Sequence, residues 1–393
     1  MSELAKAPPL NRTRLGRLTV LFAAHALGTA NIMLVLAFAP LVQRDLGLST
    51  AGFGLAVSAY YGAQVVFALP AGWLVDRFGE RRILTAAHVA MAGGIGLVAA
   101  ADGAIALVVG VVFCGLGYAL VNPATARGVL AWFDANNRAT AMGVKQTGVP
   151  AGAIVVAIVA AAVGEDWRLL AAALSATMLV TTILYYVLEP GRGTSAPESL
   201  LRGLRIALTH RRLAVINLGT CLYTMALGAL LAYFVTFAYE EVQVSASTAS
   251  LLLALVQGAS AAGRIAWGIA GDRLPGNGRV GGLVACGLLG AAACVALPFA
   301  GTAAELGALA LSLGLTVGAF ASLAQTHAVE SVDASRTGAA VGYNLLFTTG
   351  GSMLGPMLFA FFLAQGGYML SWAVVAAGLV AGAALFKISV RGS

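Results

Sequence analysis

Arg264 is the only lysine or arginine deep within an apolar stretch of this chain. A guanidinium keeps its charge and offers a planar fork of donors that fits a carboxylate or another oxyanion. Gln257, Ser260, Arg264 and Trp267 fall at i, i+3, i+7 and i+10, which is one face of a helix. An amide, a hydroxyl, a cation and an aromatic ring on one face suit a site for an amphipathic anion. No acid stands deep in a comparable stretch: Asp45, Asp76, Asp102, Glu165, Glu189, Glu240, Glu241, Asp272, Glu305, Glu330 and Asp333 fall at ends or in loops. The expectation is that a substrate supplies the missing anion. Two other readings compete: snorkelling to an interface, and an ion pair with Asp272, about two turns further on.

Lys145 is the second cation, near the start of an apolar stretch with Gln146, Gly148, Pro150 and Gly152. It reads either as an attractor of anions at the cytoplasmic mouth or as an interface lysine. Other polar groups share helical faces. Tyr60 or Tyr61 goes with Gln64, Tyr118 with Asn122, and Asn217 with Thr220 and Thr224, next to Tyr223. His25 goes with Thr29, and it could relay a proton or simply pack. Asn31, Tyr343 and Asn344 complete the candidate substrate-binding set. Enzyme chemistry has little to run on. There is no Walker loop, no paired carboxylates in the apolar stretches, and no metal-ligand spacing of His and Cys. Cys114, Cys221, Cys286 and Cys294 form no C-x-x-C pair. Neither cofactor nor metal is expected.

The elements that carry these residues follow from composition. Of 393 residues, 60% are hydrophobic and only 10% charged. A soluble domain averages about 25% charged residues. This excludes a soluble enzyme, a nucleic-acid-binding domain and a disordered chain. Stretches of about 20 apolar residues suit membrane helices. Twelve are predicted: 18–42, 52–75, 83–101, 104–126, 140–162, 169–188, 213–237, 248–270, 280–300, 305–326, 338–362 and 369–387. Asn31, Gln64, Asn122, Lys145, Gln146, Asn217, Gln257, Arg264, Gln325 and Asn344 fall on spans 1, 2, 4, 5, 7, 8, 10 and 11. None falls well inside spans 3, 6, 9 or 12. With the amino terminus in the cytoplasm, 23 Lys and Arg side chains lie inside except Arg44, Arg168 and Arg264, counting Arg127 and Lys145 as inside. The net charge of +7 is therefore topological, matching anionic lipid rather than nucleic acid. The polar stretch Glu189–Arg212 reads as a cytoplasmic linker between a bundle over 1–188 and a second over 213–393.

A repeat supports that division. Gly72-Trp-Leu-Val-Asp76-Arg77-Phe-Gly79-Glu-Arg81-Arg82 follows span two, and Gly268-Ile-Ala-Gly-Asp272-Arg273 follows span eight. Both read G-x-x-x-D-R, with the acids half a chain apart. The first copy resembles the loop signature of the major facilitator superfamily, G-x-x-x-D-R-x-G-x-R-R, at every defined position. That resemblance implies an all-α membrane protein, twelve transmembrane helices as two pseudo-symmetric six-helix bundles around a central cavity. It implies that helices 1, 2, 4, 5, 7, 8, 10 and 11 line or gate the cavity. Asp76 could pair with Arg77, Arg81 or Arg82 to latch the cytoplasmic side. Asp272 and Arg273 would form a weaker copy of the latch.

The stretch from Gly263 to Arg273 resembles helix 8 of the oxalate–formate exchanger and monocarboxylate transporter branches, where an arginine engages the substrate carboxylate. The resemblance passes that role to Arg264. The oxalate exchangers also carry a cation on helix 11. Span eleven here has Tyr343, Asn344, Thr348 and Thr349 instead, which points to one anionic group on the substrate. The expected protein is a monomeric secondary transporter in the inner membrane, both termini cytoplasmic. It moves a small organic anion, a monocarboxylate, by alternating access, with proton symport or anion exchange. Its partners are then that anion, protons and lipid. Alternatives are a drug exporter, an inorganic anion transporter of the nitrate or cyanate type, and a membrane sensor that binds without transport.

Overall fold

The computed structural model describes residues 12–133, 135–188, 210–273, 278–331 and 337–391. The proposed linker at 189–212 therefore lies largely outside the described residues. The elements are α1 (Arg12–Ala37), α2 (Ala39–Leu46), α3 (Thr50–Phe78), α4 (Glu80–Ala99), α5 (Ala104–Trp132), α6 (Ala135–Val163) and α7 (Trp167–Leu188). After the linker come α8 (Arg211–Glu240), α9 (Ala246–Arg273), α10 (Gly278–Ala296), α11 (Ala303–Leu315), α12 (Ala321–Glu330) and α13 (Thr337–Arg391).

Local signals set the ends. The Ser49 hydroxyl accepts from Gly52 N–H (3.1 Å) and caps α3, while Thr302 and Glu305 form a capping box on α11. Gly79 takes φ +82° at the joint of α3 and α4, a conformation that favours glycine. Among the described residues, nine stretches are long and apolar enough to cross a membrane. The longest, Tyr343–Val390, holds two crossings, because Gly366 and Gly367 (φ 68°) interrupt α13. Trp167–Ile183 and Ala303–Leu315 are apolar but shorter. Together these account for the twelve expected spans, in a multi-pass membrane protein.

Packing repeats between the halves. α1 packs on α6 as α8 packs on α13; α3 packs on α5 as α9 packs on α11; α4 packs on α7 as α10 packs on α13. The first pair is close because of glycine. A Cβ on Gly148 or Gly152 would lie 2.4 Å or 2.0 Å from the carbonyl oxygens of Phe22 and Ala26. In the second half, a Cβ on Gly351 or Gly355 would lie 2.5 Å or 2.0 Å from those of Cys221 and Met225. Small-x-x-x-small spacing lets helix backbones touch in a membrane.

The halves meet along α3 with α13 and α6 with α9. Gln43 Nε2 donates to Thr236 Oγ1 (2.8 Å), Thr50 Oγ1 to Glu240 Oε1 (3.1 Å), and Ser250 Oγ to the Ala37 carbonyl (2.8 Å). Gln257 Nε2 reaches Met33 Sδ at 3.7 Å. Among the described residues, the hydrogen bonds that tie the halves together lie toward this end, so the molecule is closed here. On the closed face, Trp167 Nε1 donates to Asp45 Oδ2 (2.9 Å) and holds that carboxyl below its usual range, helped by Arg44.

One predicted element differs. The sequence predicts a continuous span ten over 305–326, but α11 stops at Leu315, residues 316–320 form a turn, and α12 begins at Ala321. The Gly318 N–H donates five residues back, to the Leu313 carbonyl (3.0 Å). Close packing explains the break. A Cβ on Gly314 would lie 2.4 Å from the Val256 carbonyl oxygen, and one on Gly318 would lie 2.7 Å from Ser260 Cβ. Side chains of α9 also take the freed carbonyls.

Candidate functional site

Those side chains are the ones that share a face in the sequence. Ser260 Oγ donates to the Gly318 carbonyl (2.7 Å), Arg264 Nε donates to the same oxygen (3.3 Å), and Trp267 Nε1 donates to the Leu315 carbonyl (2.8 Å). The broken helix thus turns its carbonyl end toward Arg264, and a helix carboxy-terminus favours a cation. No carboxylate among the described residues pairs with Arg264. Its terminal N–H groups are bonded to no described protein atom.

The facing side comes from the first half. Tyr118 on α5 lies near Arg264 across the two halves. Its hydroxyl hydrogen-bonds Thr29 Oγ1 on α1 (3.2 Å), and its ring stacks on Tyr60 at 6.5 Å. Tyr61 meets Tyr60 edge-on at 5.0 Å. Asn122 and Thr125 continue the same face of α5. Lys145 Nζ donates to Asn122 Oδ1 (3.0 Å) and Thr125 Oγ1 (3.2 Å), with the lysine only 1% exposed. It is therefore turned into the bundle rather than toward an interface. His25 Nε2 lies 2.9 Å from the same Thr125 hydroxyl. That hydroxyl also lies 2.7 Å from the Val121 carbonyl of its own helix and accepts from Lys145. The buried Nδ1 of His25 has no partner among the described residues.

Other candidates sit elsewhere. Tyr223 is fully buried within the second half, between Phe320 and Phe386, and donates to the Leu283 carbonyl (2.7 Å). Thr224 bonds back to its own helix at Thr220 (3.0 Å). Asn344 Nδ2 donates to Asn217 Oδ1 (2.8 Å) and ties α13 to α8, while Tyr343 packs edge-on against Phe347. Asn31 is buried with both amide atoms unpartnered, and Gln64 Nε2 is buried and unpartnered.

At the linker end, the side chains of Asp76, Asp272 and Arg273 lie outside the described residues. Gly72 has open space where a Cβ would be. Arg77 lies over the Trp73 ring (5.3 Å), Arg81 lies over Tyr186 (4.1 Å), and Arg82 is exposed. Sequence reasoning missed Glu80, which follows Gly79. It is 1% exposed and pairs with Arg127 at 3.4 Å, joining α4 to α5. Its signal in the sequence is a second acid inside the motif that already holds Asp76.

A model of the Major Facilitator Superfamily matches residues 20–239 and 216–392. Among curated relatives, the probable galactarate/D-glucarate transporter GudP of Bacillus subtilis is 36% identical over 25% of this chain and 23% of its own length. The probable sulfoacetate transporter SauU of Cupriavidus necator is 29% identical over 37% and 35%. The hexuronate transporter of Bacillus subtilis is 27% identical over 38% and 36%. These matches thus span roughly a quarter to a third of the relatives. A bacterial homolog of the human lysosomal transporter Spinster, solved in an inward-facing and occupied conformation, superposes with a TM-score of 0.86 at 16% identity, covering 97% of both chains.

Proposed function

This chain belongs to the Major Facilitator Superfamily, and from that premise we propose that it is a secondary transporter of a small organic anion, with Arg264 as the cation that binds it. The carrying observation is the state of Arg264. Its Nε–H is spent on the Gly318 carbonyl and its terminal donors are taken by no described protein atom. A bidentate oxyanion completes that geometry. Relatives named for sugar acids and sulfoacetate support an organic anion. Tyr118 brings the opposite half to the same anion, so both halves must move to release it.

The distribution of Lys and Arg supports a linker on the cytoplasmic side, with 1–188 and 213–393 as the moving halves of an inner-membrane protein. The end sealed by Gln43, Thr50 and Ser250 is then outside, and the conformation is inward-facing. The test is uptake into proteoliposomes. Arg264→Gln should insert and melt as wild type does yet lose anion uptake. Carboxylate uptake at wild-type affinity would remove the reading. Acceleration by an inward proton gradient would mark symport, and acceleration by internal anion would mark exchange.

A further inference from the structure

We infer that the substrate is a dianion, and that its second acidic group docks on the amide of Asn122, with Lys145 behind that amide as a positioning charge. This rests on the reading of Arg264 as the first anion site. The absence of a cation on span eleven points to one anionic group; the interior of the first half supplies the second cation from a different helix. Lys145 is 1% exposed, and among the described residues no carboxylate pairs with it. Its partners are neutral oxygens, Asn122 Oδ1 and Thr125 Oγ1.

A lysine can only donate, so Asn122 must turn its oxygen to Lys145 and its NH2 group away. No described protein acceptor takes those two N–H groups, and Asn122 is half-buried rather than sealed. The cation thus acts through polarised amide donors. Asn122 stands one turn from Tyr118 on the same face of α5, and Tyr118 is the neighbour of Arg264. One turn is about 6 Å of rise. The site then holds two cations and no acid. An unanswered buried charge is costly, and a second negative group relieves that cost in a way that a monoanion cannot.

The experiment measures binding to the purified full chain at neutral pH, where carboxylates are ionised. It uses pairs that differ in one end group: adipate against hexanoate, and D-glucarate against D-gluconate. In the wild type the diacid of at least one pair should bind about tenfold or more tightly than its partner. Lys145→Met and Asn122→Ala should each cut that ratio by about tenfold, and Lys145→Arg should keep most of it. Arg264→Gln should weaken both members of the pair together. A wild-type ratio near one in both pairs, or an equal loss of both members in Lys145→Met, overturns the inference and leaves the anion site standing. If Lys145→Met does not fold, Asn122→Ala decides on the same criterion. Wild-type protein that binds none of the four overturns the anion reading, and this inference with it.

Discussion

A guanidinium inside a membrane persists only where something answers its charge. For Arg264 the resident answer is a carbonyl at a helix break, a weaker partner than a carboxylate. Arg264→Lys keeps the charge but cannot serve the Gly318 carbonyl and an oxyanion fork together. We expect Arg264→Gln to lose about 2–3 kcal/mol of binding, or about 30- to 150-fold in affinity, with Arg264→Lys between it and wild type. Titration of a transported anion against each purified variant reads this directly. Arg264 stands out in the sequence because no other cation lies so deep. Lys145 does not, because a lysine near the end of an apolar helix can bend out to the interface or in to the bundle. The choice depends on which face of α6 meets α5. Tyr223 and Thr224 are misleading for a related reason. A helix apolar on nearly every side has no strong polar face, so residue type alone does not fix its rotation.

At the scale of elements, span ten looks continuous because its composition stays apolar through the break. What interrupts it is the approach of α9, and no property of 316–320 read alone reports that. The tight seams are more legible, since Gly148 with Gly152 and Gly351 with Gly355 have the spacing of close-packed membrane helices. The contacts define which glycines matter. Gly152→Ala would set a Cβ 2.0 Å from the Ala26 carbonyl oxygen, against backbone that cannot move aside. Gly378→Ala meets nothing within 4 Å. The first should cost about 1–3 kcal/mol and lower the melting temperature by several degrees; the second should leave it near wild type. Equal melting of the two would mean that the α1–α6 seam tolerates separation.

Across the whole molecule, the twelve crossings and the two-fold repeat are readable from hydropathy and from G-x-x-x-D-R. The conformation is not, because in the proposed transporter one sequence encodes both the inward-facing and the outward-facing arrangement. It is read from where the halves are bonded. The Gln43–Thr236 and Ser250–Ala37 bonds exist only while this end, the outer one in the proposed orientation, is shut. Each is worth about 1 kcal/mol net, so Gln43→Ala with Ser250→Ala should move the balance toward the outward-open form by roughly 30-fold. Distances between spin labels placed on the outer ends of the two halves would report the shift, and an unmoved distribution would place the closing energy elsewhere.

The seam has a consequence for ionic strength. The ion pairs among the described residues lie within one half: Arg44 with Asp45 and Glu165, Glu80 with Arg127, and Arg279 with Glu330. The seal between the halves is made of hydroxyls, amides and a carbonyl, with Glu240 accepting from Thr50 of the other half and from Tyr368 of its own. Raising an inert salt from 0.1 M to 1 M shortens the screening length from about 10 Å to about 3 Å. This seal should then hardly weaken, while anion affinity falls severalfold. Cargo capture and the strength of the seal would thus respond to salinity independently.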